Sequence, residues 1–242
     1  MAAHAQHASF VQTQWSLVRR AVDEQAPGSR AALESLCSNC WYPIYAFIRR
    51  SGKPAADAED ICQGFFERVL RMRLFAVADP EKGRLRTFLL TCLKRYMADE
   101  HDRAQAGKRG SGRVVVFSSL RAEELYLAEP VDIATPDRLY QRRWVLQLID
   151  TAMHEVQEAY EAEGKASLFT ALSPFLGFSQ SSEPNYQECA DRLGLNLNTL
   201  KSHIRRLRER WRREVMTQVA ATLDDPTPQE IKDELRELKG CV

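Results

Sequence analysis

The sequence predicts an all-α protein with two helical domains joined by a flexible linker. Most long segments repeat apolar residues at spacings of three and four, the period of a helix, whereas strand-like alternation is nearly absent. The chain has 242 residues, which is enough for two domains of ordinary size. A stretch rich in glycine and proline at residues 107–136, with one short helical piece near residues 120–127, predicts the linker.

Four helices are expected in the first domain, residues 1–106. Their apolar faces lie at about residues 13–22, 31–51, 57–72 and 85–103. Pro43 falls within the second helix and is expected to kink it or shift its start. The first turn of the third helix is acidic, which suits the positive end of the helix dipole.

A second domain is expected at residues 137–220, followed by an acidic tail at residues 221–242. Pro136 opens a long helix, and a helix-turn-helix follows at residues 186–213. Gly194 stands where a helix end favours a residue that tolerates a left-handed backbone, and Asn196 can cap the next helix. An apolar stripe with basic residues on the other faces is the pattern of a helix that enters the DNA major groove, although a solvated hairpin explains it equally well.

The charge is unevenly spread. The net charge is only +1, but residues 82–113 and residues 198–213 each carry +6, so the remainder is strongly acidic. Two basic islands on an acidic chain indicate two separate contacts with a polyanion.

Several classes of function are disfavoured. No apolar run is long enough to span a membrane, and the first 20 residues lack a signal peptide's apolar core, so a cytoplasmic protein is expected. Cys37 and Cys40 form a lone C-x-x-C without a second ligand pair, so a structural role is favoured over zinc or redox chemistry. The histidines show no ligand grouping and no nucleophile or phosphate-loop motif is present. No catalytic residue, metal ligand or cofactor is therefore assigned.

Residues 57–70 read DAEDICQGFFERVL. This segment closely resembles the D-A-E-D-hydrophobic-x-Q-x-x-F-x-R signature of region 2 in extracytoplasmic-function sigma factors, the small members of the bacterial sigma-70 family. Residues 42–52 and 82–99 resemble the helices that flank it. Residues 186–210 resemble region 4 of the same family, ending in T-hydrophobic-K-S-x-hydrophobic-x-R at residues 199–206.

The resemblance implies a non-enzymatic initiation factor that binds core RNA polymerase and promoter DNA. The implied polymerase contacts are the clamp coiled coil of the largest subunit and the flap of the second-largest subunit, and an anti-sigma protein is a further candidate partner. No membrane partner is expected. The alternative is a stand-alone helix-turn-helix regulator that never binds polymerase, against which the acidic helix argues.

The resemblance also assigns three sets of site residues. Polymerase binding is assigned to Asp57, Glu59, Asp60, Gln63 and Phe66. Contacts with the minus-ten element are assigned to Arg84, Arg86, Lys94, Arg95 and Tyr96. Contacts with the minus-35 element are assigned to Asn198, Thr199, Lys201, Ser202, Arg205 and Arg206.

Three features depart from the family pattern. Gly64 stands where the family usually has Glu, and Arg95 where it often has Asn, which affects the polymerase contact and the promoter preference respectively. The L-P-x-x-x-R segment before the helix-turn-helix is replaced by residues 157–184. The tail adds a hypothesis of its own: its charge and its Ile231, Leu235 and Leu238 stripe could dock it on either basic island and hold the factor inactive.

Overall fold

A computed structural model describes residues 14–23, 25–105, 119–129, 135–177 and 184–241. Every regular element in these ranges is helical, which confirms the predicted all-α class. Much of the expected linker, and the basic residues of the first island beyond residue 105, lie outside the described ranges. The α-helices are α1 Gln14–Val22, α2 Ser29–Arg50, α3 Ala55–Arg71, α4 Leu85–Gln105, α5 Ser119–Leu127, α6 Pro136–Ala162, α7 Ala166–Leu172, α8 Tyr186–Leu193, α9 Leu197–Ala221 and α10 Pro228–Lys239.

The chain divides into two compact units. Unit 1 consists of residues 1–147 and 220–242, and unit 2 consists of residues 148–219. The first part of α6, expected in the second domain, therefore belongs to unit 1, and so does the tail. Both differences arise from packing between residues distant in sequence, which local periodicity does not report.

The core of unit 1 is built around α2. Its residues Ile44, Tyr45 and Ile48 are fully buried, as are Phe65 of α3 and Leu89 of α4. These positions follow the three- and four-residue spacings of the sequence, and burying each large apolar side chain contributes roughly 1.5–3 kcal/mol. Packing of the apolar sides of α3 and α4 against α2 leaves their other sides exposed to solvent.

Pro43 does not divide the second helix. The segment is helical from Ser29 to Arg50 with Pro43 buried inside it. Its start lies two residues before the expected one, and Gly28 precedes it with a left-handed backbone, φ 82°. Packing of the buried face outweighs the loss of one backbone hydrogen bond at the proline.

The described part of the expected linker is held against α2. Glu123 of α5 accepts hydrogen bonds from the Tyr45 hydroxyl (2.5 Å) and from Arg49 Nε (2.8 Å) and Nη2 (2.7 Å). The Arg49 guanidinium also lies 4.6 Å from the centre of the Tyr126 ring. The hydrogen bonds from Arg49 lower the pKa of Glu123, so its carboxylate stays charged. Residues 119–129 are therefore an ordered part of unit 1, and this corrects the expectation of a flexible linker there.

Gly64 and Tyr96 are fitted to each other. A Cβ atom at Gly64 would lie 2.2 Å from the Tyr96 hydroxyl oxygen, well inside van der Waals contact. Tyr96 is buried, 8% exposed, and its ring lies 5.9 Å from that of Phe65. The departure from the family's Glu at this position thus has a local reason, because any side chain there would displace Tyr96.

We expect Gly64→Ala to destabilise unit 1 by about 1–3 kcal/mol. An alanine in an exposed helix interior would stabilise by up to about 1 kcal/mol, but here its methyl group meets the Tyr96 hydroxyl. Urea unfolding measures the loss. The double variant Gly64→Ala/Tyr96→Phe should be more stable than the sum of the single variants, and strict additivity would refute the steric explanation.

Unit 2 has its own apolar core. The side chains that form it come from α6, α7, the short 3₁₀ turn Ser173–Leu176, α8 and α9. The largest buried members are Tyr160, Phe169, Leu172, Phe175, Leu200, Ile204 and Leu207. Because α9 contributes the 200–204–207 stripe, its opposite side faces solvent.

Candidate protein and nucleic-acid interfaces

The first half of α3 presents an acidic surface. Asp57 and Asp60 are exposed, while Glu59 and Gln63 are partly exposed. Asp57 and Asp60, like Asp60 and Gln63, are three residues apart, and Glu59 and Gln63 are four apart, so the members of each pair are neighbours on the helix surface. Among the described residues, the three carboxylates form no ion pair with a cation. The arrangement suits a basic partner.

Phe66 does not belong to this surface. Its side chain is 2% exposed and stacks on Trp41, with the ring centres 5.4 Å apart. It follows Cys62 by four residues and precedes Val69 by three, and both of these are buried as well. The assignment of Phe66 to polymerase binding is therefore corrected: it positions α3 from inside the core.

The basic residues of α4 are in different environments. Lys94 and Arg95 are exposed, and Lys94 forms an ion pair with Asp137 of α6. Arg84, just before the helix, has a side chain that is 37% exposed and its Nε lies 2.8 Å from Glu234 Oε2 of α10. These three cations lie at or near the surface of unit 1.

Arg86 and Tyr96 are both buried, which sequence periodicity did not indicate for Arg86. The Arg86 side chain is 2% exposed and forms ion pairs with Glu234 and with Glu237. Tyr96 packs on α3, as described above, so it does not offer its ring to a base. In the conformation described, burial leaves neither side chain accessible to DNA, so the contacts predicted for Arg86 and Tyr96 are not available in this state.

The helix pair α8–α9 has the turn that the sequence predicts. Asn185 accepts backbone hydrogen bonds at the start of α8, and Gly194 ends it with φ 64°. Asn196 Oδ1 then accepts a hydrogen bond of 2.8 Å from the Thr199 amide, capping α9. The expected glycine and asparagine roles are confirmed.

The first turns of α9 present an exposed polar face. Asn198, Lys201, Ser202, Arg205 and Arg206 are exposed and Thr199 is partly exposed. All six residues predicted for this helix lie outside the apolar core of unit 2.

Two further cations of α9 have structural roles. Arg208 donates hydrogen bonds to the Phe175 carbonyl oxygen, at 2.9 Å from Nη2 and 3.3 Å from Nε. Arg210 pairs with Glu163 at 2.7 Å and lies 5.1 Å from the centre of the Tyr160 ring. The Lys165 ammonium and then the Arg210 guanidinium lower the pKa of Glu163, which keeps that pair charged. The basic count of α9 therefore overstates the cations available to a ligand.

Cys37 and Cys40 are buried thiols. Burial raises the pKa of Cys37 to about 11 and the pKa of Cys40 well above its usual value. Neither is a reactive thiolate, since the thiolate is the nucleophile. Across the described ranges there is no group of three or more metal-ligating side chains. No described helix combines the length and apolar character of a membrane span.

Residues 43–107 match the family model of sigma-70 region 2. This segment of the chain is therefore similar to sigma-70 region 2. The match covers the end of α2, all of α3 and all of α4, so the acidic surface and the basic residues of α4 both lie within the segment that is similar to sigma-70 region 2. No curated protein and no solved structure matches the chain.

Proposed function

We propose that the protein is a dissociable initiation factor of bacterial RNA polymerase, of the extracytoplasmic-function type. The observation that carries the proposal is the match to sigma-70 region 2 together with an exposed acidic surface on α3 within it. In the sigma-70 family, region 2 takes part in polymerase binding and promoter melting. The protein would work in the cytoplasm, without catalysis of its own.

The acidic surface of α3 is the proposed polymerase contact. Asp57, Glu59 and Asp60, with Gln63 beside them, would face the basic clamp coiled coil of the largest subunit. The carboxylates lie on a helix whose other side is buried in the core of unit 1, so little ordering of the backbone would be needed on binding. Opposite charge on the coiled coil would favour fast and specific association.

The minus-ten contact is proposed for the exposed cations of unit 1. Lys94 and Arg95 are accessible, and Arg84 is partly accessible. Lysine and arginine contacts with phosphates supply a large, salt-dependent share of DNA affinity. Flipped bases would supply the specificity that phosphates lack.

The minus-35 contact is proposed for the start of α9. The six residues predicted to contact this element, between Asn198 and Arg206, lie on the exposed side of a helix whose first turn is capped. Such a helix fits the major groove with its N-terminal residues at the base edges. The flap of the second-largest subunit is the further contact proposed for unit 2.

We expect Arg205→Ala to weaken binding of duplex promoter DNA and to reduce the slope of log K against log salt concentration by about 0.9, the value of one lost phosphate contact. A fluorescence titration at several salt concentrations measures both. Arg213→Ala is the matched control, because Arg213 is an exposed arginine of the same helix about 12 Å further along its axis. Equal effects of the two variants would contradict the proposed docking.

A polymerase-binding titration tests the proposal as a whole. Core RNA polymerase should form a complex with the labelled protein that elutes as one species. If no complex forms while the duplex DNA is still bound, the stand-alone regulator is the correct function.

A further inference from the structure

The tail of the chain forms a capped helix, α10, that packs against the rest of unit 1. Thr227 and Glu230 cap α10 reciprocally, and Pro228 occupies its first turn. The backbone of α10 is therefore helical for local reasons. Its packing against the rest of unit 1, by contrast, depends on contacts with distant residues.

Two carboxylates of α10 contact arginines of the first basic island. Glu234 has no exposed surface and pairs with both Arg84 and Arg86. Glu237 Oε1 lies 2.6 Å from the second terminal nitrogen of Arg86. The contact joins residues 148 and 151 positions apart in the chain.

Two of the four acids of α10 contact the arginines, namely Glu234 and the largely exposed Glu237. The other charged side chains of the helix are exposed: Glu230, Lys232, Asp233, Arg236 and Lys239. The helix thus presents a local anionic surface to unit 1 that its nearly balanced composition conceals. Among the apolar side chains of α10, Leu238 is buried and Ile231 and Leu235 are partly buried.

The guanidinium group of Arg86, beneath α10, is oriented to bind an anion. Arg86 Nε donates a hydrogen bond of 3.2 Å to Gln141 Oε1 of α6, which holds the guanidinium plane independently of α10. Its two terminal nitrogens each bind a carboxylate of α10. The same planar fork suits phosphate oxygens, which arginine binds in the geometry it uses for carboxylates.

We propose that α10 is an internal competitor of promoter DNA. The carboxylates of Glu234 and Glu237 occupy the guanidinium groups that bind backbone phosphates when α10 leaves. The inference rests on the proposed function and adds its regulation: Arg86 becomes a DNA contact, and Arg84 loses its carboxylate partner, only in the undocked state.

Reversible docking is physically reasonable for such a contact. When α10 leaves as a unit, the carboxylates and both guanidinium groups regain water or phosphate, so the desolvation cost of the buried pair is recovered. If apolar side chains held the helix, its release would expose them to water and recover no desolvation cost. DNA and α10 then oppose each other by linkage, each weakening the other's hold on the site.

The first test compares Glu234→Gln with Asp233→Asn in the full chain. Both remove one negative charge from α10, but Asp233 is exposed and pairs with Arg236 on the same helix. The probe is a fluorescein-labelled single-stranded 20-mer of random sequence. Glu234→Gln should bind it at least about tenfold more tightly, with a salt slope steeper by about 1.4 for two added phosphate contacts. Asp233→Asn should bind as the wild type does, and equal behaviour of the two variants would overturn the inference.

A second variant and a second readout keep the test decisive if Glu234→Gln does not fold. Glu237→Gln alters a side chain that is 61% exposed and should shift affinity in the same direction. In the wild type, saturating 20-mer should increase amide hydrogen exchange in α10. Unchanged exchange with DNA bound would overturn the inference alone, whereas loss of all DNA and polymerase binding would overturn the proposed function as well.

Discussion

Asp60→Lys should weaken binding to core RNA polymerase by at least about 100-fold. The substitution reverses the charge at an exposed position in the middle of the acidic surface of α3. A lysine there would face a basic coiled coil, and disrupting a charge contact at an interface costs about 2–5 kcal/mol. Titration of labelled variant against core polymerase measures the change.

The fold should survive this substitution. Asp60 lies outside the core, and exposed substitutions of this kind change stability by about 0.5 kcal/mol or less. The matched control is Glu34→Lys, an equal charge reversal at an exposed position of α2 in the same unit. If Asp60→Lys and Glu34→Lys bind polymerase equally well, the acidic surface of α3 is not the contact.

Arg86→Met should lower the unfolding free energy of unit 1 by about 3–5 kcal/mol. The substitution removes the buried partner of Glu234, which has no exposed surface, and leaves only the partly exposed Arg84 to pair with it; breaking a buried ion pair in this way is costly. The double variant Arg86→Met/Glu234→Met should recover most of the loss, because a buried pair can be replaced by apolar groups at little net cost.

The measurement can be confined to one unit. Trp15, Trp41 and Trp144 lie in unit 1 and Trp211 lies in unit 2, so fluorescence in a Trp211→Phe background reports the unfolding of unit 1. The control is Lys94→Met, which removes an exposed ion pair of the same helix and should cost less than about 1 kcal/mol. A loss below 1 kcal/mol for Arg86→Met would show that the pair with Glu234 does not persist in solution.

Local pattern was sufficient to predict the helices and two of the three surfaces. The acids of α3 and the polar start of α9 are defined by spacing within one helix, so the sequence alone indicated that they share a face. Gly194 and Asn196 were predictable for the same reason, since a helix end and a cap depend on adjacent residues.

The minus-ten surface was less predictable because its partners are distant in sequence. Nothing in the local sequence distinguishes Arg86 from an exposed arginine. It is buried because it pairs with Glu234, which lies 148 positions away in the chain. Periodicity separates polar from apolar positions but does not report which polar residue another segment will bury. The same limit explains α5, whose docking depends on the pair Glu123–Arg49, whereas the burial of Phe66 follows from its spacing to the buried Cys62 and Val69.

The most direct test of the central claim is initiation by purified components. Core RNA polymerase is incubated with sheared genomic DNA, with or without the protein, and the 5′ ends of the transcripts are mapped. The protein should direct discrete start sites that core polymerase alone does not use, and Glu237→Gln should raise their yield. If neither the wild type nor Glu237→Gln, both folded, changes the start sites, the protein is not an initiation factor.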